Sequence, residues 1–183
     1  RCVVCGDCVQ VCQAEAREIV GRRVTVAEVM AEVEKDIVFY DESGGGVTFS
    51  GGEPLMQPDF LRALLQSCKE KEIHTAVDTS GLAAWKTLQS ISENVDLFLY
   101  DLKLMDDEKH RRFTGVSNDL ILSNLRALAS LGSTITVRVP IIPGINDDDE
   151  NISRTGKFVA SLPRVPPVCI LPYHRAAIDK YAR

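Results

Sequence analysis

The chain has 183 residues, of which 45% are hydrophobic and 26% are charged, with a formal net charge of −5 at pH 7. This length is enough for a domain with a buried core, and the apolar content excludes an intrinsically disordered chain. No apolar run reaches the ~20 residues of a membrane span, and a pI near 5.3 argues against a nucleic-acid-binding surface. The composition therefore predicts a soluble globular protein whose partners include neither membrane nor nucleic acid.

The chain begins with an arginine that leads directly into a cysteine motif, without an initiator methionine, signal peptide or transit peptide. We therefore expect a fragment of a longer protein. Four of the six cysteines lie within the first twelve residues. This clustering is typical of a metal site in a reducing compartment and not of a disulfide scaffold, so the expected location is the cytoplasm.

The cysteine cluster has the spacing Cys-x2-Cys-x2-Cys-x3-Cys and consists of Cys2, Cys5, Cys8 and Cys12. Thiolates at this spacing can hold an iron–sulfur cluster, and the fourth often serves a second cluster, as in two-cluster ferredoxins. Zinc is the alternative metal, although its ligands usually come in pairs separated by a longer stretch. Gln13 stands where ferredoxins have proline, and a second cysteine run is absent. We interpret residues 1–24 as the C-terminal half of a ferredoxin-like insert.

From residue 25 onward, helical and strand patterns alternate. Thr25 and Glu28 form a capping box that predicts the start of a helix. Short apolar runs predict strands at 47–50, 75–78, 97–101, 135–139 and 169–171. Amphipathic stripes predict further helices at 58–71, 83–92, 106–113, a stretch ending near 131, and 147–162. The alternation predicts right-handed crossovers and a parallel sheet across residues 25–183.

Polar residues lie at or just beyond the C-terminal ends of the predicted strands, at 50–53, 78–81, 101–103, Arg138 and 173–174. The carboxyl edge of a parallel sheet or barrel is where ligands bind. Glycines at 44–46 and 51–52 allow close backbone approach to a ligand, although tight turns alone would also explain them. A Walker-type phosphate loop is excluded, because Glu53 stands where its Gly-Lys pair would be needed.

Several motifs together resemble those of the glycyl-radical-enzyme activating enzymes, within the radical S-adenosylmethionine superfamily. They are Gly-Gly-Gly-Val-Thr-Phe-Ser-Gly-Gly-Glu-Pro at 44–54, His-Thr-Ala-Val-Asp-Thr-Ser-Gly at 74–81, Tyr-Asp-Leu-Lys at 100–103, Pro-Gly-Ile-Asn-Asp at 143–147 and Leu-Pro-Tyr-His at 171–174. The cysteine run ahead of them resembles the insert of the larger activating enzymes. The pyruvate formate-lyase activating enzyme is the best-known relative, and its usual form lacks the insert.

The resemblance implies an α/β fold, a partial (β/α)6 TIM-like barrel with about strands two to six, and [4Fe-4S] clusters and S-adenosylmethionine as cofactors. In this family, reductive cleavage of S-adenosylmethionine gives a 5′-deoxyadenosyl radical, which takes a hydrogen from a glycine of the partner enzyme. The expected partners are a glycyl radical enzyme and a flavodoxin- or ferredoxin-type electron donor. The Cys-x3-Cys-x2-Cys signature of the catalytic cluster does not occur in these 183 residues. We therefore expect the chain to be inactive alone and assign no catalytic residue.

The resemblance also implies roles for individual residues. Gly52 would meet the amino group of the methionine part of S-adenosylmethionine, Lys103 its carboxylate and His174 its adenosyl part. Arg138 would contact a carboxylate or the partner peptide. The expected ligands of a monovalent cation are Asp78, Thr79 and Asp101. The full set expected to bind cofactor is Gly51, Gly52, Glu53, Asp78, Asp101, Leu102, Lys103, Arg138 and His174.

Other interpretations stay open from the residues alone. A non-catalytic iron–sulfur electron-transfer module on an α/β scaffold would explain the cysteines but not the remaining motifs. A nucleotide-binding protein using residues 44–52 would bind phosphate without iron. Separately, a purely structural pair with Lys103 is the alternative role of Asp101. Cys68 and Cys169 lie alone in apolar surroundings and are predicted core residues.

Overall fold

The computed structural model describes residues 5–14, 16–19 and 21–173. Its centre is a parallel sheet in which five strands lie side by side in chain order. The strands are β1 (Gly46–Phe49), β2 (His74–Thr79), β3 (Leu97–Asp101), β4 (Ile135–Ile141) and β5 (Val168–Pro172). All five predicted strands are thereby confirmed to within two residues, together with the α/β class and the parallel pairing.

Helices precede the sheet and connect its strands. They are α1 (Asp7–Gln10), α2 (Val26–Val33), α3 (Ile37–Ser43), α4 (Pro58–Glu70), α5 (Trp85–Ser92), α6 (Asp107–Thr114), α7 (Asp119–Leu131) and α8 (Asp149–Ala160). Single 3-10 turns lie at Glu34–Asp36 and Pro54–Met56. Among residues 5–14, 16–19 and 21–173, no helix is long and apolar enough to cross a membrane.

The starts of α2 and α8 follow from their capping residues. The Thr25 hydroxyl accepts a hydrogen bond from the Glu28 amide at 3.2 Å, and the Glu28 carboxylate accepts one from the Thr25 amide at 2.7 Å. The predicted capping box is therefore confirmed. Asp148 accepts from the Asn151 amide at 2.8 Å and begins α8. Each cap satisfies a backbone donor that has no partner within its own helix.

Alternation along the strands divides the sheet into two faces. On one face, β2, β3 and β4 contribute Val77, Phe98, Tyr100, Val137 and Val139 to the main core. Helices α4, α5, α7 and α8 cover this face with residues of the same cluster. The residues that alternate with these point to the other side of the sheet, which we call the inner face. The inner face carries Asp78, Asp101 and Arg138.

A second core cluster packs α2 against α4. It joins Met30 and Val33 to Leu64, Cys68 and Ile73. Cys68 is fully buried, which confirms the prediction of a core residue, and burial raises the pKa of its thiol to about 11. The same prediction is wrong for Cys169, which is exposed. The reason is that Cys169 lies in β5, which among the described residues pairs only with β4.

Two further details go beyond the sequence-based expectation. The helix predicted to start at Thr25 ends at Val33, and a separate helix, α3, follows after the 3-10 turn at Glu34–Asp36. In addition, β4 extends to Ile141, because its register with β5 continues as far as the pair Ile141 and Pro172. Arg138, predicted near the end of its strand, therefore lies in the middle of β4.

Candidate functional site

Charged side chains from three adjacent strands meet on the inner face. Arg138 of β4 donates to Asp101 Oδ1 of β3 from Nε at 3.0 Å and from Nη2 at 2.8 Å, and Nη2 also donates to Asp78 of β2. Lys103, just beyond β3, places its Nζ 3.3 Å from Asp101 Oδ2. Asp101 and Arg138 are register partners, so their side chains share a face by necessity. We call these four residues the charged cluster.

The charged cluster is partly shielded from water. The side chains of Asp78, Asp101 and Arg138 are between 18% and 22% exposed, whereas Lys103 is 37% exposed. Burial by itself lowers the pKa of the Arg138 guanidinium, but the hydrogen bonds and charges of Asp101 and Asp78 outweigh it and leave the pKa above its ordinary value. Two carboxylates thus balance two cations. The cluster can therefore contact positive and negative groups of one ligand.

Glu53 fastens the loop after β1 to the end of β2. One carboxylate oxygen accepts from Thr79 Oγ1 at 2.6 Å, and the other accepts from the amide and hydroxyl of Ser80 at 2.9 and 2.6 Å. Ser50 Oγ donates to Asp78 Oδ2 at 3.0 Å and joins the same loop to the charged cluster. Glu53 therefore acts as a brace that holds the loop in place.

The glycines of this loop border open space. Gly51 has a φ of 128°, which side chains rarely adopt, and no heavy atom of the described residues lies within 4 Å of a Cβ built on Gly51 or Gly52. Both glycines are exposed. The loop therefore has two exposed glycines next to Ser50, whose hydroxyl contacts Asp78.

The structure brings some of the predicted site residues together and separates others. Asp78, Asp101, Lys103 and Arg138 form one network, as described above. Thr79 faces the helix-covered side of β2, where its hydroxyl donates to Glu53 and accepts from the Gly81 amide at 2.9 Å. Adjacent residues of a strand point to opposite faces, so the side chains of Asp78 and Thr79 diverge.

Other predicted residues contribute in different ways or fall outside the described chain. The Leu102 side chain is buried in the main core, and its amide extends the sheet by donating to the Arg138 carbonyl at 2.9 Å. His174 lies outside the described residues. Its proposed contact with the adenosyl part of a ligand therefore stays a prediction.

The N-terminal cysteines are described only in part. Cys5 and Cys8 are exposed and Cys12 is half-buried, whereas Cys2 lies outside the described residues. Within the described ranges, no three His, Cys, Asp or Glu side chains are grouped so that they could hold a metal ion. The three described cysteines alone do not fit an iron–sulfur cluster. Metal binding by the complete run stays a prediction.

Sequence reasoning assigned no role to several residues that support the site. Ser50 and Ser80, within the polar segments 50–53 and 78–81, provide the hydroxyls that contact Asp78 and Glu53. The amides of Asn146 and Asn151 bind the backbone next to Lys103. Asn146 belongs to the Pro-Gly-Ile-Asn-Asp motif, which was a usable signal, but Asn151 within α8 gave none.

Comparison with known proteins decides the family. The family model described as Radical SAM superfamily matches residues 8–155, which is most of the chain. The chain belongs to the Radical SAM superfamily. This Radical SAM protein is 47% identical over 169 residues to the trans-4-hydroxy-L-proline dehydratase activating enzyme of Clostridioides difficile, which covers 91% of the chain and 56% of the relative. It is 45% identical over 183 residues to the isethionate sulfite-lyase activating enzyme of Oleidesulfovibrio alaskensis, covering 98% of the chain and 59% of the relative.

A solved structure supports the same relationship. The crystal structure of a domain of pyruvate-formate lyase-activating enzyme from Bacteroides vulgatus matches with a TM-score of 0.68 and 46% identity, covering 72% of this chain and 82% of that one. SuiB from Streptococcus suis bound to its precursor peptide SuiA has a TM-score of 0.72, but at 16% identity this likeness concerns the fold alone. The Radical SAM protein spans a little over half the length of the two activating enzymes compared above.

Proposed function

We propose that this Radical SAM protein is the S-adenosylmethionine-binding part of an activating enzyme for a glycyl radical enzyme. The observation that carries the proposal is the charged cluster on the inner face beside the open loop at Gly51 and Gly52. The activating enzymes that resemble the chain at 45–47% identity support the choice of reaction. On this proposal the sheet is part of a (β/α)6 barrel, and residues 1–24 belong to a ferredoxin-like insert.

The chemistry of S-adenosylmethionine fits the residues present. The molecule carries a sulfonium and an ammonium group together with one carboxylate. The charged cluster offers two carboxylates and two cations within a partly shielded space, where charge pairing is stronger than in open water. The exposed backbone of Gly52 offers a carbonyl acceptor without a side chain in the way.

Each residue then has a distinct task. Lys103 and Arg138 bind the ligand carboxylate, and Gly52 accepts a hydrogen bond from its ammonium group. Asp101 keeps the two cations in place before the ligand arrives, and Glu53 holds the glycine loop against β2. When bound next to a reduced [4Fe-4S] cluster, S-adenosylmethionine supplies the radical chemistry that removes a hydrogen atom from a glycine of the partner. The electron donor on this proposal is a flavodoxin- or ferredoxin-type protein in the cytoplasm.

A monovalent cation beside the ligand carboxylate is a further part of the proposal, with its site altered by the observed contacts. Arg138 bridges Asp78 and Asp101, and Thr79 binds Glu53. A cation between the two aspartates therefore requires the Arg138 guanidinium to move toward the ligand carboxylate. Thr79 would then not be a side-chain ligand of the cation.

Equilibrium dialysis with labelled S-adenosylmethionine tests the proposal on the 183-residue chain. We expect saturable binding that weakens about tenfold in Asp101→Asn, because a hydrogen bond to a charged group contributes about 1.5 kcal/mol or more. Asp59→Asn is the matched control. Its carboxylate is 87% exposed and pairs with Arg62 on α4, away from the inner face.

The non-catalytic electron-transfer module makes the opposite prediction. It requires no binding of S-adenosylmethionine, so the absence of saturable binding to the wild-type chain would favour it. Equal affinities for Asp101→Asn and Asp59→Asn would place the ligand elsewhere than the charged cluster. Binding of inorganic phosphate in preference to S-adenosylmethionine would support the nucleotide-binding alternative.

A further inference from the structure

The segment 102–105 exposes only one of its four side chains. Leu102, Leu104 and Met105 are 3%, 4% and 9% exposed, whereas Lys103 reaches the charged cluster. The backbone here is neither helix nor strand. Irregular backbone that is buried must find hydrogen-bond partners outside regular structure. We call this segment the Lys103 loop.

Buried side chains from other parts of the fold provide those partners. Asn146 Nδ2 donates to the Lys103 carbonyl at 2.8 Å, and Asn151 Nδ2 donates to the same carbonyl at 3.4 Å. Asn151 Oδ1 accepts from the Met105 amide at 2.9 Å, and Asn118 Nδ2 donates to the Leu104 carbonyl at 2.9 Å. The backbone from the Lys103 carbonyl to the Met105 amide is therefore held by side-chain amide groups.

Asn146 and Asn151 form one connected unit. Asn151 Nδ2 donates to the Asn146 carbonyl at 3.0 Å, and Asn146 also binds the end of β4 and the residue after it, through the Pro140 carbonyl and the Ile142 amide, at 2.7 and 2.6 Å. The two asparagines are only 1% and 4% exposed. Their hydrogen bonds therefore form away from water, where each one restricts the backbone more strongly. The two asparagines therefore connect the Lys103 loop to the C-terminal end of β4 and to the first turn of α8.

We propose that Asn146 and Asn151 are positioning residues that hold Lys103 where its ammonium group meets the ligand carboxylate. This inference rests on the proposed function. A lysine ammonium lies at the end of a flexible four-carbon chain, so its usable position depends on how well the backbone is fixed. Loosening the Lys103 carbonyl would spread the ammonium over a larger volume and weaken the contact with a carboxylate. Affinity for the other parts of the ligand would change little.

A pair of ligands separates this role from a purely structural one. S-adenosylmethionine carries the carboxylate, and decarboxylated S-adenosylmethionine lacks it. We expect Lys103→Ala to reduce affinity for the first about tenfold and for the second less than twofold, since the lost interaction involves two charged groups. Asn146→Asp keeps the size and the acceptor but loses the donor to Lys103. We expect Asn146→Asp to reduce the affinity for S-adenosylmethionine relative to that for the decarboxylated form about three- to fivefold.

The matched control is Asn124→Asp. Asn124 is also buried, at 2% exposure, and donates to the Gly81 and Ala83 carbonyls at 2.8 Å, so it holds the loop after β2 instead. It should lose comparable folding stability while the ratio of the two affinities stays at the wild-type value. If Asn146→Asp does not fold, Asn151→Ser provides a milder change, because its contact with the Lys103 carbonyl is longer.

The combination with Lys103→Ala completes the test. In the Lys103→Ala background, Asn146→Asp should have no further effect on the ratio, because the ammonium through which it acts is gone. An unchanged ratio in both asparagine variants of the otherwise wild-type chain would refute the positioning role and leave the proposed function intact. Failure of the wild-type chain to bind either ligand would overturn both.

Discussion

Replacing Gly81 with alanine should destabilise the protein far more than the same change at another glycine of similar backbone conformation. Gly81 has a φ of 72°, and a Cβ built on it overlaps the hydroxyl and the Cζ atom of Tyr100. The Tyr100 ring is fully buried, and its hydroxyl donates to the Ile121 carbonyl at 2.7 Å. The ring therefore cannot move aside without losing this bond and disturbing the core.

The cost follows from three contributions. An alanine in the left-handed region costs about 1 kcal/mol, and forcing a methyl group into a packed core costs about 2 kcal/mol. Weakening the bond between Tyr100 and Ile121 costs about 1 kcal/mol more. Gly132→Ala is the matched control: its φ is 80° at the end of α7, and within the part of the chain that the structure describes no heavy atom lies within 4 Å of the added Cβ. It should cost only about 1 kcal/mol.

Urea unfolding followed by circular dichroism measures the difference between the two variants. We expect the free energy of unfolding to be about 3 kcal/mol lower for Gly81→Ala than for Gly132→Ala. Thermal unfolding should then give midpoints that differ by roughly 6–12 °C for a chain of this size. Equal free energies within about 0.5 kcal/mol would refute the reasoning, because the Tyr100 ring would then have room that the structure does not contain.

Three other predictions concern side chains that hold loops or helices. Glu53→Gln should lower the free energy of unfolding in urea by about 2 kcal/mol, because an amide cannot accept all the hydrogen bonds that the carboxylate accepts; an unchanged value would show that the brace contributes nothing to stability. The buried Cys68 thiol, with its pKa raised to about 11, should resist alkylation at pH 8 while exposed Cys169 reacts, and equal labelling rates would contradict its burial. Hydrogen bonds to the Asp107 carboxylate lower its pKa from 3.8 to about 2; the largest effect comes from the Ser117 hydroxyl, and smaller ones come from Arg111 and the Asn118 amide. The ionised Asp107 carboxylate therefore stabilises the fold above about pH 4, and this stabilisation is lost as the pH falls toward 2. Acid titrations of folding stability should show a weaker pH dependence for Asp107→Asn than for the wild-type protein. Identical titrations of the two proteins would contradict this prediction.

The sheet was predictable because each strand is a short apolar run between turn residues, and because alternation with helices permits few topologies. The break between α2 and α3 at Glu34–Asp36 was not predictable from the sequence. Ile37 and Tyr40 pack onto the same cluster as Val33, so the apolar stripe continues across the break. The exposure of Cys169 was equally inaccessible, since an edge strand and a central strand of the same composition differ only in their neighbours.

The charged residues of the site were predictable as a set but not as a network. Their position after or within strands follows from the strand assignments, whereas the contact between Arg138 and Asp78 spans two strand spacings and depends on register. The turn of Glu53 toward Ser80 depends on the geometry of two loops. Asn146 and Asn151 were missed because asparagine in loops and near helix starts is usually a surface turn or cap residue.

The pairing register of the strands also connects the stability of the core with the position of the charged cluster. In β3, Tyr100 faces the core and Asp101 faces the charged cluster, so a slip of one residue would bury a carboxylate and expose a tyrosine. Burying an unpaired charge costs several kcal/mol, which makes the observed register strongly preferred. The apolar core therefore determines the positions of the charges without help from the ion pairs among them. Since those ion pairs are not needed to specify the fold, the exchange of a protein carboxylate for a ligand carboxylate at Lys103 and Arg138, which the proposed function requires, would leave the sheet intact.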